Sequence, residues 1–337
     1  MEKKNARLYY EGWDNIGRIK SLSNDNPHPD KAKILDYLVS GEWDGQICSA
    51  WNSIFGESES VFLWTDGEWV WDEYLITYFR DKNFKIPDDF LQHMKNNNWL
   101  VPKTYELTLF DSHAIIDDQD NTILIDTGAP STIHSSGRFP FRGLFLCDDE
   151  IYSCTTDYAG LTIDKLSELL GMKITTLLGV DILSNYKVML DYRNNIAKFY
   201  RQDISQDIPF EGEECNFNSI NGIPIIELEI EQQPIKLFLD TGAKISYLPK
   251  EYTSNFESIG IESDFHPAFG KFETECFDIK ATFGNKQFNV KFGNLPESLQ
   301  IMLLISGVNG IIGYDFFNNF KILLDLKNNK MKYATYK

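Results

Sequence analysis

The sequence has no uninterrupted apolar run long enough to cross a bilayer as a helix. Its opening residues, Met1-Glu2-Lys3-Lys4-Asn5, lead into a polar, aromatic stretch rather than the apolar core of a secretory signal. Basic residues are scarce: 32 Lys and Arg stand against 50 Asp and Glu, a net charge of −18 that would repel a polyanion over most of the surface. Cysteine is sparse as well. The five thiols, Cys48, Cys147, Cys154, Cys215 and Cys276, are odd in number, scattered, and form no Cys-x-x-Cys pair. Reduced cysteines in a cytoplasmic protein are the expectation, and a zinc site is not. The histidines, His28, His93, His113, His134 and His266, have no metal-ligand spacing and no neighbouring nucleophile motif. No nucleic acid, no membrane, no metal and no cofactor are therefore expected.

What is present is enough apolar material, 42% of 337 residues, to bury a substantial core in two or three compact units. Residues 1–102 read as a small α-rich accessory domain. A helix is expected over Pro29 to Ser40, a hairpin over Val61 to Trp71 around Asp66-Gly67, a helix over Asp72 to Lys82, and another beginning at Ile86-Pro87-Asp88. Trp64, Trp69 and Trp71 are expected in its core, because a small domain needs bulky side chains to bury enough area.

From about Lys103 the pattern changes to short β-runs separated by turns. Tyr105 to Phe110 and Thr122 to Asp126 enclose the polar turn Asp117 to Asn121; Ile223 to Ile230 and Ile235 to Asp240 enclose Gln232-Gln233-Pro234. Each hairpin delivers the same tetrapeptide at the end of its second strand, Asp126-Thr127-Gly128-Ala129 and Asp240-Thr241-Gly242-Ala243. By chance, one Asp-Thr-Gly arises in roughly one chain in fifteen of this length. A second repeat lies downstream, where Leu177-Leu178-Gly179-Val180-Asp181 matches Ile311-Ile312-Gly313-Tyr314-Asp315. Beyond it Asn185 pairs with Asn319, Lys187 with Lys321, Asp191 with Asp325, and Asn194-Asn195 with Asn328-Asn329 in one register. The duplication therefore rests on more than the aspartates.

Two carboxylates on equivalent turns carry a definite chemistry. Held about 3 Å apart they cannot both ionise cheaply, so they keep one proton between them and supply a base and an acid to one water. Asp126 and Asp240 are the candidates. Thr127 and Thr241 offer hydroxyls for bonds between the two turns, and Gly128 and Gly242 permit close backbone approach and angles barred to other residues. Asp181 and Asp315 are expected to bond the backbone rather than a metal, and Asp191 and Asp325 to be ordinary residues of strand and turn.

This pattern of Asp-Thr-Gly-Ala, then Thr132 or Ser246 six positions beyond the aspartate, then two apolar residues and glycine, resembles the retropepsin-type aspartic peptidases. The resemblance covers about 103–337. It implies a mainly β fold of two tandem lobes, 103–204 and 205–337, related by a pseudo-two-fold axis in a pepsin-like bilobal arrangement. It also implies an aspartic endopeptidase acting on a polypeptide, with Asp126 and Asp240 catalytic. A hairpin flap over the substrate is part of that likeness, and Phe265 to Gly270 reads as its tip, with Phe269 and Gly270 as flap residues. Phe139-Pro140-Phe141-Arg142-Gly143 is the weaker counterpart in the first lobe, where Gly179 follows Asp126 by 53 positions while Gly313 follows Asp240 by 73. The alternative expectation is a peptide-binding or scaffold protein that keeps the fold without the reaction. Residues 1–102 lie outside the resemblance, and are expected to recruit a partner protein or to restrain the enzyme.

Overall fold

The computed structural model describes residues 3–7, 25–52, 57–118, 120–140, 151–202, 207–266, 270–296, 300–301, 303 and 305–336. The chain divides into two compact units. The first comprises 1–103 with 142–150 and 203–209; the second holds 104–141, 151–202 and 210–337. No helix among the described residues is long and apolar enough to cross a membrane.

The first unit is built from β1 (Lys4–Asn5), α1 (Lys31–Val39), β2 (Glu42–Asn52), β3 (Glu57–Thr65), β4 (Trp69–Asp72), α2 (Glu73–Lys82) and α3 (Asp88–Asn96). Its strands form one sheet in the order β1-β4-β3-β2. The α-rich expectation thus captures only half of it, because β2 is a long strand whose alternation is hidden. Its register slips at Trp43/Gly45 and again at Ile47/Ala50, and each extra residue interrupts the two-residue period of the strand. The three helices fall close to where the sequence puts them. Asp72 caps α2 by accepting from the Leu75 amide at 2.9 Å, whereas Pro87 sits just outside α3 instead of in its first turn. Trp64, Trp69 and Trp71 are buried together with Tyr37, Phe79, Phe84 and Phe90, and Trp69 stacks on Phe90 at 4.8 Å between centroids.

The second unit is mainly β. Its first part runs β5 (Lys103–Phe110), β6 (His113–Asp118), β7 (Asn121–Ile125), β8 (Ile133–His134), β9 (Arg138–Pro140), β10 (Ile151–Ser153), α4 (Ile163–Leu170), β11 (Thr176–Leu178), α5 (Val180–Leu183), β12 (Tyr186–Asp191) and β13 (Ile196–Arg201). Then follow β14 (Glu213–Asn216), β15 (Asn218–Ile220), β16 (Ile223–Ile230), β17 (Gln233–Leu239), β18 (Ser246–Leu248), α6 (Lys250–Thr253), β19 (Ser258–His266), β20 (Gly270–Phe283) and β21 (Lys286–Asn294). The end of the chain adds β22 (Gly310–Ile312), α7 (Tyr314–Asn319), β23 (Phe320–Asp325) and β24 (Lys330–Thr335).

One sheet has the order β14-β24-β23-β12-β13-β5-β6-β7-β11-β8, and another β15-β16-β17-β22-β18-β21-β20-β19. The duplicated sequence reappears as duplicated pairing. The strand β7 pairs in parallel with β11, which pairs antiparallel with β8; likewise β17 pairs in parallel with β22, and β22 antiparallel with β18. The hairpins β12–β13 and β23–β24 join through β12 and β23, with Lys187 opposite Asp325 and Leu190 opposite Ile322. Both turn the same way: Asp191 accepts from the Asn194 amide and Asp325 from that of Asn328, while Asn195 and Asn329 take the left-handed conformation at φ 55° and 52°. That is why an Asp and an Asn-Asn recur in register.

The sequence reading joined Tyr105–Phe110 to Thr122–Asp126 across one turn, and the structure inserts β6 between them. The extra turn is Asp111-Ser112, both left-handed at φ 45° and 71°. Without glycine or asparagine, that turn gives little local signal.

Candidate active site

Both aspartates stand immediately after a strand whose last residues are fixed by a parallel neighbour. The Asp126 amide donates to the Leu178 carbonyl and the Asp240 amide to the Ile312 carbonyl, each at 3.0 Å. Each turn then folds back on its carboxylate: the Gly128 amide donates to Asp126 Oδ1 at 2.9 Å, and the Gly242 amide to Asp240 Oδ1 at 2.8 Å.

The two turns hold one another through their threonines. Thr127 Oγ1 donates to the Leu239 carbonyl and Thr241 Oγ1 to the Ile125 carbonyl, both at 2.7 Å. Each hydroxyl also accepts the opposite threonine's amide at 3.0 Å. The four bonds are buried and reciprocal, so every polar group of the grip is satisfied.

The glycines are required by close approach and not by backbone angle, since neither Gly128 nor Gly242 has a positive φ. A Cβ on Gly242 would lie 2.7 Å from Asp126 Cγ, and one on Gly128 would be closer still to Asp240 Cγ. Each carboxyl therefore occupies the space that a side chain on the opposite turn would fill.

That geometry turns each carboxyl toward the opposite turn, where the two titrate as neighbours. Burial first, and then the charge and hydrogen bond of Asp240, push Asp126 well above the ordinary carboxylate range. Burial also raises Asp240, opposed by the Gly242 amide, the bond with Asp126 and the charge of His113. Both shifts favour a pair that shares one proton, since two neighbouring buried carboxyls do not ionise together cheaply. Neither aspartate is sealed from solvent, since both keep a partly accessible surface.

Behind each turn runs an apolar-apolar-glycine segment. The Gly179 amide donates to Thr132 Oγ1 at 2.9 Å and the Gly313 amide to Ser246 Oγ at 3.1 Å. Val180 and Tyr314 then donate to the carbonyls of Ala129 and Ala243. A Cβ on Gly179 would strike the Ser131 and Ala129 backbone at 2.7 to 2.8 Å, so the segment passes only without one. Asp181 accepts from the Thr132 amide and hydroxyl, and Asp315 from the Lys291 amide. They brace the fold, as expected of them.

In the second sheet β19 and β20 form a long hairpin, paired from Ser258 opposite Phe277 to His266 opposite Gly270. Gly270 opens β20 with φ 78°, while Phe269 lies outside the described residues. The corresponding segment at 139–143 is described only in β9, which pairs with β10. Several buried or paired polar groups of this unit had no signal in the sequence. Lys244 pairs with Asp111 at 2.8 Å, the Tyr247 hydroxyl donates to the buried Asp264 carboxylate, and His113 is buried at 2% exposure. All three join residues distant in sequence, to which neither periodicity nor spacing is sensitive.

No protein-family model and no curated protein matches the chain. Among solved structures it is similar to a retropepsin-like aspartic protease from Rickettsia conorii, 19% identical over 37% of this chain and 92% of that one, with a TM-score of 0.29. It is also similar to EIAV protease complexed with the inhibitor HBY-793, 17% identical over 28% of this chain and 86% of that one, with a TM-score of 0.23.

Proposed function

We propose that the chain is an aspartic endopeptidase formed by two retropepsin-like lobes, 103–204 and 205–337, related by an approximate two-fold axis, with residues 1–102 as an accessory domain. The observation that carries this reading is that Asp126 and Asp240 each reach the opposite turn, which is gripped by reciprocal threonine bonds, and that both are left partly open to solvent. Its substrate is a polypeptide bound in extended form, in which backbone hydrogen bonds supply affinity and side-chain pockets supply selectivity.

In the proposed reaction a water between the carboxyls gives its proton to the ionised aspartate while its oxygen bonds to the peptide carbonyl carbon. The protonated aspartate donates to the carbonyl oxygen, and a tetrahedral diol results. The aspartate that took the water's proton then gives a proton to the nitrogen, the C–N bond breaks, and one diol hydroxyl passes its proton to the other aspartate as the carbonyl re-forms, so that an amine and a carboxylic acid leave and one proton stays on the pair. The two carboxyls supply both proton transfers, so the step calls for no cofactor.

The test is cleavage of unfolded polypeptides by the purified full chain from pH 3 to pH 8, with products read by mass spectrometry. Asp126→Asn and Asp240→Asn are each expected to abolish turnover while circular dichroism stays unchanged. Full activity in either variant refutes the reading. Binding of peptides without turnover at any pH, equal in both variants and the parent, identifies the non-catalytic alternative.

A further inference from the structure

A strand at the end of a sheet leaves a row of backbone amides and carbonyls unpaired, and proteins usually shorten such strands, guard them with lysine or proline, or cover them. The two large sheets of the second unit end in β14 and β8 and in β15 and β19. The first three of these hold only 4, 2 and 3 residues. The strand β19 is unlike them. It runs for 9 residues, from Ser258 to His266, without a lysine or a proline. It pairs on one side with β20, and among the described residues no strand lies along its other side.

What this edge shows to solvent is apolar at its centre. Ile259 is 57% exposed and Ile261 is 70% exposed. The register slips between Ser258 and Gly260, so Ile259 has no residue opposite it, and Gly260 at φ 135° leaves the backbone between the two isoleucines bare. Acidic groups frame them. From 257 to 276 the basic residues are His266 and Lys271, against Glu257, Glu262, Asp264, Glu273 and Glu275. Lys291 pairs with Glu262 and the Tyr247 hydroxyl donates to Asp264, while Glu257, Glu273 and Glu275 are exposed. On one face of the hairpin Glu275 stands opposite Ile261 and Glu273 opposite Ser263.

We propose that the outer edge of β19 is a docking strand for an extended segment of a partner protein that carries both apolar and basic side chains. The added strand would bond to the bare backbone, set an apolar residue beside Ile261, and set a lysine or arginine beside Ser263, two positions along on the same face. Ser263 is small, so that long side chain passes over it to Glu273 on the next strand. A second copy of this chain does not suit the edge, because it would bring the same acids together in a molecule of net charge −18. The surface uses neither aspartate of the proposed active site, and its test is independent of whether the chain cleaves peptides.

The probe is a fluorescein-labelled peptide of repeated Val-Thr-Lys-Thr, titrated with the purified full chain by anisotropy, its integrity followed by mass spectrometry. The same peptide with Glu in place of Lys, and one with Pro in place of Thr, serve as controls for charge and for strand pairing. The lysine peptide is expected to bind about tenfold or more tightly than either control, and to slow amide hydrogen exchange over 258–263. Ile261→Lys, and separately the double variant Ile259→Thr with Ile261→Thr, which keeps β-branched side chains, are each expected to weaken it by about tenfold. No binding, equal binding of the proline peptide, unchanged affinity in both isoleucine variants, or protection confined to the aspartate turns overturns the proposal. A dimer in sedimentation velocity that Ile261→Lys dissolves assigns the edge to a second copy, and also overturns it.

Discussion

Replacing Gly242 by alanine tests whether contact between the carboxyls is what the fold is built to secure. The added Cβ would lie 2.7 Å from Asp126 Cγ, where ordinary contact begins at 3.4 Å, so the Asp126 carboxyl must retreat by about 0.7 Å. The backbone at 242 needs no unusual angle, so alanine is otherwise tolerated. A misplacement near 1 Å at reacting groups costs on the order of a hundredfold. The expected loss in kcat/KM is thus about 50-fold, or ~2.3 kcal/mol of transition-state stabilisation. Separation also weakens the hold on the shared proton, so the Asp126 titration should fall toward the ordinary range. Steady-state kinetics across pH and carboxyl 13C titration measure the two effects on one sample. Wild-type kcat/KM together with an unmoved Asp126 titration would refute the argument, because the pair would then work without the approach that glycine permits.

Thr127→Val leaves the buried Thr241 amide and Leu239 carbonyl without partners, and at about 1 to 3 kcal/mol for each the urea midpoint should drop by an amount worth roughly 2 to 6 kcal/mol; an unchanged midpoint would show that the grip does not stabilise the fold. Asp126 titrates above its ordinary value of 3.8 when folded, so its contribution to stability is complete below that value and is lost as pH rises through the raised one. Asp126→Asn removes the penalty, and its Tm should exceed the parent's at pH 7 by a margin that closes toward pH 3; an equal margin at both pH values contradicts the assignment. The buried Tyr192 hydroxyl has no hydrogen-bond partner among the described residues, so Tyr192→Phe should leave chemical-denaturation stability unchanged or higher by up to about 1 kcal/mol, and a clear loss would reveal a partner such as buried water.

The features legible in the sequence are those that leave a short signature. The capped α2 and the Asp-Asn-Asn turns after β12 and β23 answer needs within a few residues, whereas the glycines at 128, 179, 242 and 313 answer close contacts with distant segments and are legible because they recur in a repeated motif. The structure alters the reason for Gly128 and Gly242, which are demanded by the opposing carboxyl and not by their own φ. What stayed hidden was interrupted or distant. Bulges broke the alternation of β2, a turn of Asp111 and Ser112 concealed the boundary of β6, and the contacts of His113, Lys244 and Tyr247 depend on chain folding alone.

Positioning and tuning of the aspartate pair are divided between different residues. Burial and mutual repulsion both resist bringing Asp126 and Asp240 together, so their contact must be imposed by groups that do not titrate with them: the threonine grip, the missing Cβ atoms, and the ladder between β12 and β23. All of these occur in both halves, and a scaffold that treats both halves alike cannot decide which carboxyl keeps the proton. Burial and the neighbouring carboxyl, by contrast, are what raise the titration of Asp126. Substitutions in that repeated frame should therefore separate the pair, whichever half they fall in.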